Sequence, residues 1–190
     1  MYSSIINHIN RFVPLNDAEV EILLPYLQFR TVKRKEHLLK EGQICTANYF
    51  IVKGCFRCYF VNDKGIEQTF QFGIENWWVT DYASLENKIP SQFYIQAVEN
   101  ATVIFIDKSI SEELFTRLPK LERYFRLLLQ KLNAASQIRI KYLYSFSREE
   151  LYNHFSNLYP EFVQRVPQYM LASYLNFTPE FLSKIRAKKR

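Results

Sequence analysis

Val166-Pro-Gln-Tyr-Met-Leu-Ala-Ser-Tyr-Leu-Asn-Phe-Thr-Pro-Glu-Phe-Leu-Ser-Lys-Ile-Arg-Ala-Lys-Lys-Arg190 reads as a helix, a tight turn and a second helix. Pro167 fits the first turn of a helix, Leu171 and Leu175 share one buried face, and Ala172 is small enough for a close helix crossing. Asn176 is expected to end that helix in the left-handed conformation. Thr178 then caps the next helix, with Pro179 at its first position and Glu180 near its positive end. Leu182 and Ile185 point into the core, which leaves Glu180, Ser183, Lys184 and Ala187 on other faces. A helix braced from behind with polar residues in front has the form that enters a DNA major groove. Lys184 suits guanine O6 or N7, Glu180 suits cytosine N4, and Ser183 suits a base edge or a phosphate. Thr178 stands at the start of this helix, and Arg186, Lys188, Lys189 and Arg190 suit phosphates. The alternative is an ordinary helical hairpin with a basic end, since Lys and Arg favour last turns.

Moving toward the N-terminus, Ser147-Arg-Glu-Glu150 is a capping box opening a helix that runs to Tyr159 and stops at Pro160. From Lys120 to about Tyr144, the residues Leu121, Phe125, Leu128, Leu132, Ala135, Ile138 and Tyr142 recur at spacings of three and four. They trace a stripe roughly six turns long. Such a helix outreaches one small barrel, so part of the stripe is expected to pack on a second copy of the chain; the alternative is packing wholly within its own domain. Ser109-Ile-Ser-Glu112 reads as another capping box, opening a short helix that ends before Pro119.

Residues 28–107 have a different texture. Short β-rich runs, Phe29-Arg-Thr-Val, Tyr49-Phe-Ile-Val, Cys55-Phe-Arg-Cys-Tyr-Phe-Val, Gln68-Thr-Phe-Gln-Phe, Phe93-Tyr-Ile-Gln-Ala-Val and Thr102-Val-Ile-Phe-Ile, are separated by turn residues, as in a barrel or sandwich. All four glycines, Gly42, Gly54, Gly65 and Gly73, fall at run boundaries and are expected at corners, with Asn62-Asp-Lys-Gly65 as a hairpin loop. Ahead of them, Asn16-Asp-Ala-Glu19 reads as a helix start.

The chain has 190 residues, 48% of them hydrophobic and 23% charged, enough for one substantial core or two small ones. Its formal charge is +6, and residues 178–190 hold five basic residues against one acidic one. The excess therefore sits at one end and favours a polyanionic partner. No apolar run approaches the roughly 20 residues that span a bilayer, and Met1-Tyr-Ser-Ser-Ile lacks signal-peptide character, so no membrane partner and a cytoplasmic location are expected. Cys45, Cys55 and Cys58 are expected as reduced thiols. Cys55 and Cys58 lie three apart in a β run, where they face opposite sides and share no metal. His8, His37 and His154 are isolated along the chain. No Ser-His-Asp, P-loop or Rossmann pattern occurs, so neither a catalytic site nor a metal site is expected.

Taken together, the β-rich and helical halves resemble the Crp/Fnr family of bacterial transcription regulators, and most closely its short members from Bacteroidetes-type bacteria. Leu39-Lys-Glu-Gly42, Asn48-Tyr-Phe-Ile-Val-Lys-Gly54 and Phe72-Gly73 resemble the family's successive sheet turns, and Thr178-Pro-Glu-Phe-Leu-Ser-Lys-Ile-Arg186 resembles its recognition helix. The resemblance implies an α+β fold. It consists of an N-terminal double-stranded β-helix, the jelly roll of cyclic-nucleotide-binding domains, over residues 1–118; a dimerisation helix over 119–146; and a helix-turn-helix of winged-helix type over 147–190. The family usually adds a β wing, and here the sequence runs out almost at the recognition helix.

Cyclic-AMP-binding members hold the phosphate with a Gly-Glu pair and a later Arg followed by Ser or Thr. Here Ile74 follows Gly73 and Glu75 comes one place late, while Ser91-Gln92 stand where Arg-Ser is expected. No arginine lies between Arg57 and Arg117, and a guanidinium is what a cyclic phosphate best exploits. Cyclic AMP is therefore not expected to bind in the family manner. Phe72, Gly73, Glu75, Trp77, Trp78, Tyr82, Ser91 and Gln92 mark the candidate effector pocket; its aromatics, with Phe93 and Tyr94, either line a site for another small molecule or fill it. The family's oxygen sensors carry an N-terminal cysteine cluster, and this chain has no cysteine before Cys45. The partners implied are double-stranded DNA, a second copy of the chain, and either a small-molecule effector or RNA polymerase. The rival reading is an effector- or protein-binding jelly-roll module without specific DNA binding.

Overall fold

The structure is a computed structural model describing residues 2–187, so Lys188, Lys189 and Arg190 lie outside the described residues. The chain packs as two compact units, one of residues 1–58 and 72–131, the other of 59–71 and 132–190.

The first unit opens with α1 (Ser3–Asn10) and α2 (Asp17–Leu23), followed by a 3-10 turn at Leu24–Tyr26. The expected capping box at α2 is present: Asn16 Oδ1 accepts from Glu19 N and Glu19 Oε2 accepts from Asn16 N, both at 2.9 Å. The strands are β1 (Gln28–Val32), β2 (His37–Leu39), β3 (Ala47–Lys53), β4 (Phe56–Val61), β5 (Glu67–Gly73) and β6 (Trp78–Val79). Helix α3 (Tyr82–Asn87) separates these from β7 (Tyr94–Ala97) and β8 (Ala101–Asp107). Two four-stranded sheets, β1-β8-β3-β6 and β2-β7-β4-β5, make the jelly roll. In the first sheet β1 pairs antiparallel with β8 from Gln28 opposite Phe105 to Val32 opposite Ala101, and β3 lies between β8 and β6. Helix α4 (Lys108–Arg117) follows β8, and α5 (Lys120–Ser145) leaves the first unit after Lys131.

The core of this unit lies between the helices and the first sheet. Ile5 and Ile9 of α1, Leu23, Phe50 of β3, Ile104 and Ile106 of β8, Leu114 of α4, and Leu121 and Tyr124 of α5 are all buried there. Each large apolar side chain so removed from water contributes about 1.5–3 kcal/mol before the cost of ordering it. The stripe periodicity predicted α5, whereas α1, β2, β6 and α3 carry too little pattern to be read: β6 has two residues and α1 has no side-chain cap.

Two local readings are corrected. Asp107, not Ser109, caps α4: its Oδ1 accepts from Ser109 N at 2.8 Å and from the Ser109 hydroxyl at 2.6 Å. Strand β8 runs straight into the helix, so the first turn starts earlier and Ser109 falls inside it. Gly42, Gly54 and Gly65 occupy corners with φ of 82°, 105° and 74°, but Gly73 ends a strand at ordinary φ. Space explains it, because a Cβ there would stand 2.7 Å from Val79 Cγ1 and 2.8 Å from Ile51 Cδ1.

The second unit joins the tip of the β4–β5 hairpin to a helical array: the end of α5, then α6 (Arg148–Leu158), α7 (Pro160–Arg165), α8 (Gln168–Tyr174) and α9 (Pro179–Ala187). The hairpin loop is as expected: Gly65 N donates to Asn62 O at 2.8 Å, and Asn62 Oδ1 accepts from the amides of Lys64 and Ile66. Ser147 and Glu150 form their capping box at the start of α6. No strand occurs in residues 132–187, so no β wing is seen among the described residues.

Candidate functional site

The turn between α8 and α9 follows from backbone chemistry. Phe177 N donates to Ala172 O at 2.8 Å and Asn176 N donates to Ser173 O at 3.1 Å, the paired bonds of a Schellman ending. Asn176 carries the left-handed φ of 59° expected of it. Pro167 sits one place before α8 rather than in its first turn, and its carbonyl accepts from Met170 and Leu171. Thr178 caps α9 as expected, its hydroxyl accepting from Phe181 N at 3.2 Å.

Behind α9, Leu182 and Ile185 are buried with Leu171, Ala172 and Leu175 of α8 and its ending. On its open side Glu180, Ser183, Lys184 and Ala187 are exposed, at spacings that place them on one face. Arg186 is half-buried. Four of the DNA-contact candidates, Thr178, Glu180, Ser183 and Lys184, are thus brought to the surface of one helix, with Arg186 beside them; Lys188, Lys189 and Arg190 lie outside the described residues.

Two supports were not legible in the sequence. Gln168 Nε2 donates to Ser183 Oγ at 2.6 Å, tying the start of α8 to the exposed face of α9. The Arg148 guanidinium lies 5.3 Å from the centre of the Phe181 ring, so the first residue of α6 braces α9 through its charge and its stem. Neither pairing has a local sequence signature, because each joins residues more than ten positions apart.

The α5 stripe divides. Leu121 and Leu128 are buried in the first unit's own core, and Phe125 packs edge-on against Trp78 with ring centres 5.2 Å apart. Tyr142 stacks on Phe146 at 4.7 Å and against His154 at 4.3 Å, so it too is engaged within the chain. Leu132, Ala135 and Ile138 remain exposed. The stripe expected to meet a second copy therefore narrows to its middle, since the residues at its ends serve intrachain packing.

The residues of the candidate effector pocket are held by partners that composition did not reveal. Glu75 Oε1 accepts from Gly54 N at 2.8 Å, which engages this carboxylate in bracing the β3–β4 corner. Phe72 and Trp78 are buried, and Trp78 Nε1 donates to the Tyr124 hydroxyl at 2.7 Å. Trp77 and Tyr82 are half-buried and Gln92 is exposed. Burial, with the Glu86 carboxylate nearby, pushes the Tyr82 phenol up to about 12. Ser91 is buried, and its hydroxyl donates to Asp81 Oδ2 at 2.7 Å. Asp81, itself buried, also caps α3 by accepting from Ser84 N. The Asp81 carboxylate thus engages the serine that the resemblance sets in the place of the family's arginine. Neither Asp81 nor the pairing of Arg57 has a local sequence signature; Arg57 is buried with Nε and one terminal nitrogen donating to Gln96 Oε1 at 2.9 and 2.6 Å.

Burial pushes the Cys58 thiol up to about 12, the opposite of what a thiolate ligand or nucleophile requires. Among the described residues no group of three or more His, Cys, Asp or Glu side chains is placed to hold a metal ion, and no helix is long and apolar enough to cross a membrane.

Residues 29–117 match the family described as the cyclic nucleotide-binding domain. The anaerobic regulatory protein of Aggregatibacter actinomycetemcomitans is 26% identical over 186 residues, covering 90% of this chain and 70% of that protein. The fumarate and nitrate reduction regulatory protein of Vibrio cholerae is 25% identical, covering 90% of this chain and 72% of that protein. Among solved structures, the c-di-GMP-responsive global regulator CLP of Xanthomonas campestris superposes with a TM-score of 0.73 at 14% identity, covering 91% of each chain. FixK2 of Bradyrhizobium japonicum does so with a TM-score of 0.69 at 16% identity, covering 85% of this chain and 83% of the other. At such identities these two likenesses speak to the fold alone. The chain is thus similar over most of its length to these bacterial regulatory proteins, and its residues 29–117 match the cyclic nucleotide-binding domain.

Proposed function

We propose that the chain is a homodimeric transcription regulator that reads a specific double-stranded DNA sequence with α9, and that it is not an enzyme. The observation that carries this reading is the division of α9: Leu182 and Ile185 are buried behind, while Glu180, Ser183 and Lys184 are exposed in front. Residues 1–118 act as the sensor, 119–146 as the dimerisation helix with Leu132, Ala135 and Ile138 facing the second copy, and 147–190 as the DNA-binding part. A shift in the population of dimer arrangements, biased by a small-molecule effector or RNA polymerase, changes how the two recognition helices fit half-sites one DNA turn apart. The location is cytoplasmic.

The candidate pocket does not hold cyclic AMP in the family manner on this reading. In support, Ser91 is bonded to the Asp81 carboxylate, Glu75 is engaged with Gly54, and the buried Arg57 is bonded to Gln96. A phosphate placed at Ser91 would meet the Asp81 carboxylate, where the family's arginine would have offered a positive charge. Gel-shift titration at several salt concentrations tests the central claim. Preference for one duplex over random DNA is expected, and equal affinity for both would refute specific regulation.

A further inference from the structure

We propose that Arg139 and Ser173 latch the helix-turn-helix onto the edge of strand β5, and that this latch positions α9 for specific DNA binding. The proposal rests on the reading of α9 as a DNA-reading helix and adds the residues that fix its orientation.

Strand β5 is the last strand in the order β2-β7-β4-β5, so one side of its backbone has no neighbouring strand. In the second unit that side is covered by the end of α8. Thr69 N donates to Ser173 Oγ at 2.8 Å, and Ser173 Oγ donates to Glu67 O at 2.8 Å. One residue thereby serves the carbonyl of position 67 and the amide of position 69, the two groups that a pairing strand residue would take. The Gln68 side-chain amide donates to Ser173 O. Arg139, on α5, donates from one guanidinium nitrogen to Phe70 O and from the other to Tyr174 O at 3.4 Å, and it lies 4.1 Å from the centre of the Tyr174 ring.

This placement matters because Ser173 O also receives Asn176 N in the turn that launches α9. The hairpin edge therefore grips the residues from which the recognition helix departs, two short steps before Thr178. Arg139 suits the task as a planar fork: it bridges carbonyls from two elements while stacking on a ring, and a lysine point charge would not do both. Without the latch, α9 would have to be oriented at the moment of specific binding, and that ordering cost would appear in affinity. Contacts with phosphates alone tolerate many orientations and would not register it.

The experiment uses the full chain. A random duplex library is enriched with the wild-type protein, and affinities for the enriched duplex and a scrambled duplex of equal length are compared for wild type, R139Q and S173A, with folding checked by circular dichroism. About a tenfold loss is expected for the enriched duplex, with the scrambled duplex unchanged. Hydrogen exchange at the Thr69 amide should accelerate in S173A. If R139Q does not fold, R139K keeps the charge, loses the fork and reads the same ratio. Equal losses on both duplexes, an unchanged ratio or a gain in specific affinity would overturn the proposal even if Thr69 exchanges faster. Failure of the wild type to enrich any sequence would instead remove the DNA reading on which the proposal stands.

Discussion

His8 Nδ1 stands 2.7 Å from the hydroxyl oxygen of Tyr124, 116 positions along the chain. Trp78 Nε1 donates to that same oxygen at 2.7 Å, so the Tyr124 hydroxyl is engaged by two partners at once. The three side chains join α1, β6 and α5 through a buried polar chain. Burial pushes the His8 pKa below its ordinary 6.5, assisted by the charges of Arg11 just past the end of α1 and Lys131 on α5. The other rings around it are those of Phe12, Phe50 and Tyr124.

A folded state that keeps His8 neutral binds fewer protons than the unfolded chain just below pH 6.5. This contribution to stability is therefore complete above 6.5 and declines as pH falls from there to the lower folded value. Urea midpoints of wild type and His8→Gln, compared between pH about 7.5 and about 5.5, should converge on acidification. A constant difference would contradict the assigned protonation. Tyr124→Phe strands the Trp78 donor and should cost about 1–3 kcal/mol at neutral pH.

Gly54 and Gly42 both have positive φ, yet their substitutions should differ. At Gly54 a Cβ would fall 2.6 Å from Ala101 Cβ and 2.8 Å from Ala101 Cα, adding a clash with backbone to the strain of φ 105°. Gly42 has nothing within 4 Å of such an atom. Denaturant unfolding should show about 1–2 kcal/mol lost for Gly42→Ala and about 3 kcal/mol or more for Gly54→Ala. Equal losses would mean that the corner yields more easily than its geometry implies.

On α5, Ile138 is 51% exposed and Leu121 only 1% exposed. Sedimentation velocity should find Ile138→Lys folded but dissociated to monomers. Leu121→Asp should lose stability in the first unit through a buried, unpaired charge. A dimeric Ile138→Lys protein would move the dimer contact away from the exposed middle of this helix.

Fluorescence anisotropy should separate two kinds of DNA contact on α9. Lys184→Ala is expected to weaken the enriched duplex by about 1–3 kcal/mol and relax preference at one base pair. Arg186→Ala should weaken all sequences similarly and lower the salt slope by about 1. Identical profiles for the two variants would leave base reading by Lys184 unsupported.

Isothermal titration with cyclic AMP should give no heat at micromolar concentrations, since the Ser91 hydroxyl is held by Asp81. Saturable binding that Asp81→Asn strengthens would show that the pocket still takes the phosphate and that the carboxylate merely weakens it.

The parts legible in the sequence are those whose causes lie within one helical turn. The capping boxes at Asn16 and Ser147, the hairpin loop at Asn62, the left-handed Asn176 and the buried pair Leu182 and Ile185 each combine a local hydrogen bond or period with a residue type suited to it. The Ser109 reading failed for a related reason: two capping oxygens lay two residues apart, and only the path of the chain out of β8 chose Asp107. In the candidate effector pocket, the residue types at positions 73–75 and 91–92 were visible, but what held them was not.

Local periodicity and capping chemistry were enough to settle the division into a β-rich part followed by helices, the extent of α5 and the polar front of α9. Only the tertiary structure decided that Tyr124 bonds His8, that Ser91 answers to Asp81, and that Ser173 and Arg139 cover the edge of β5. The reason is physical: a buried donor or an open strand edge must find a partner, and the chain brings one from wherever packing places it, often far along the sequence.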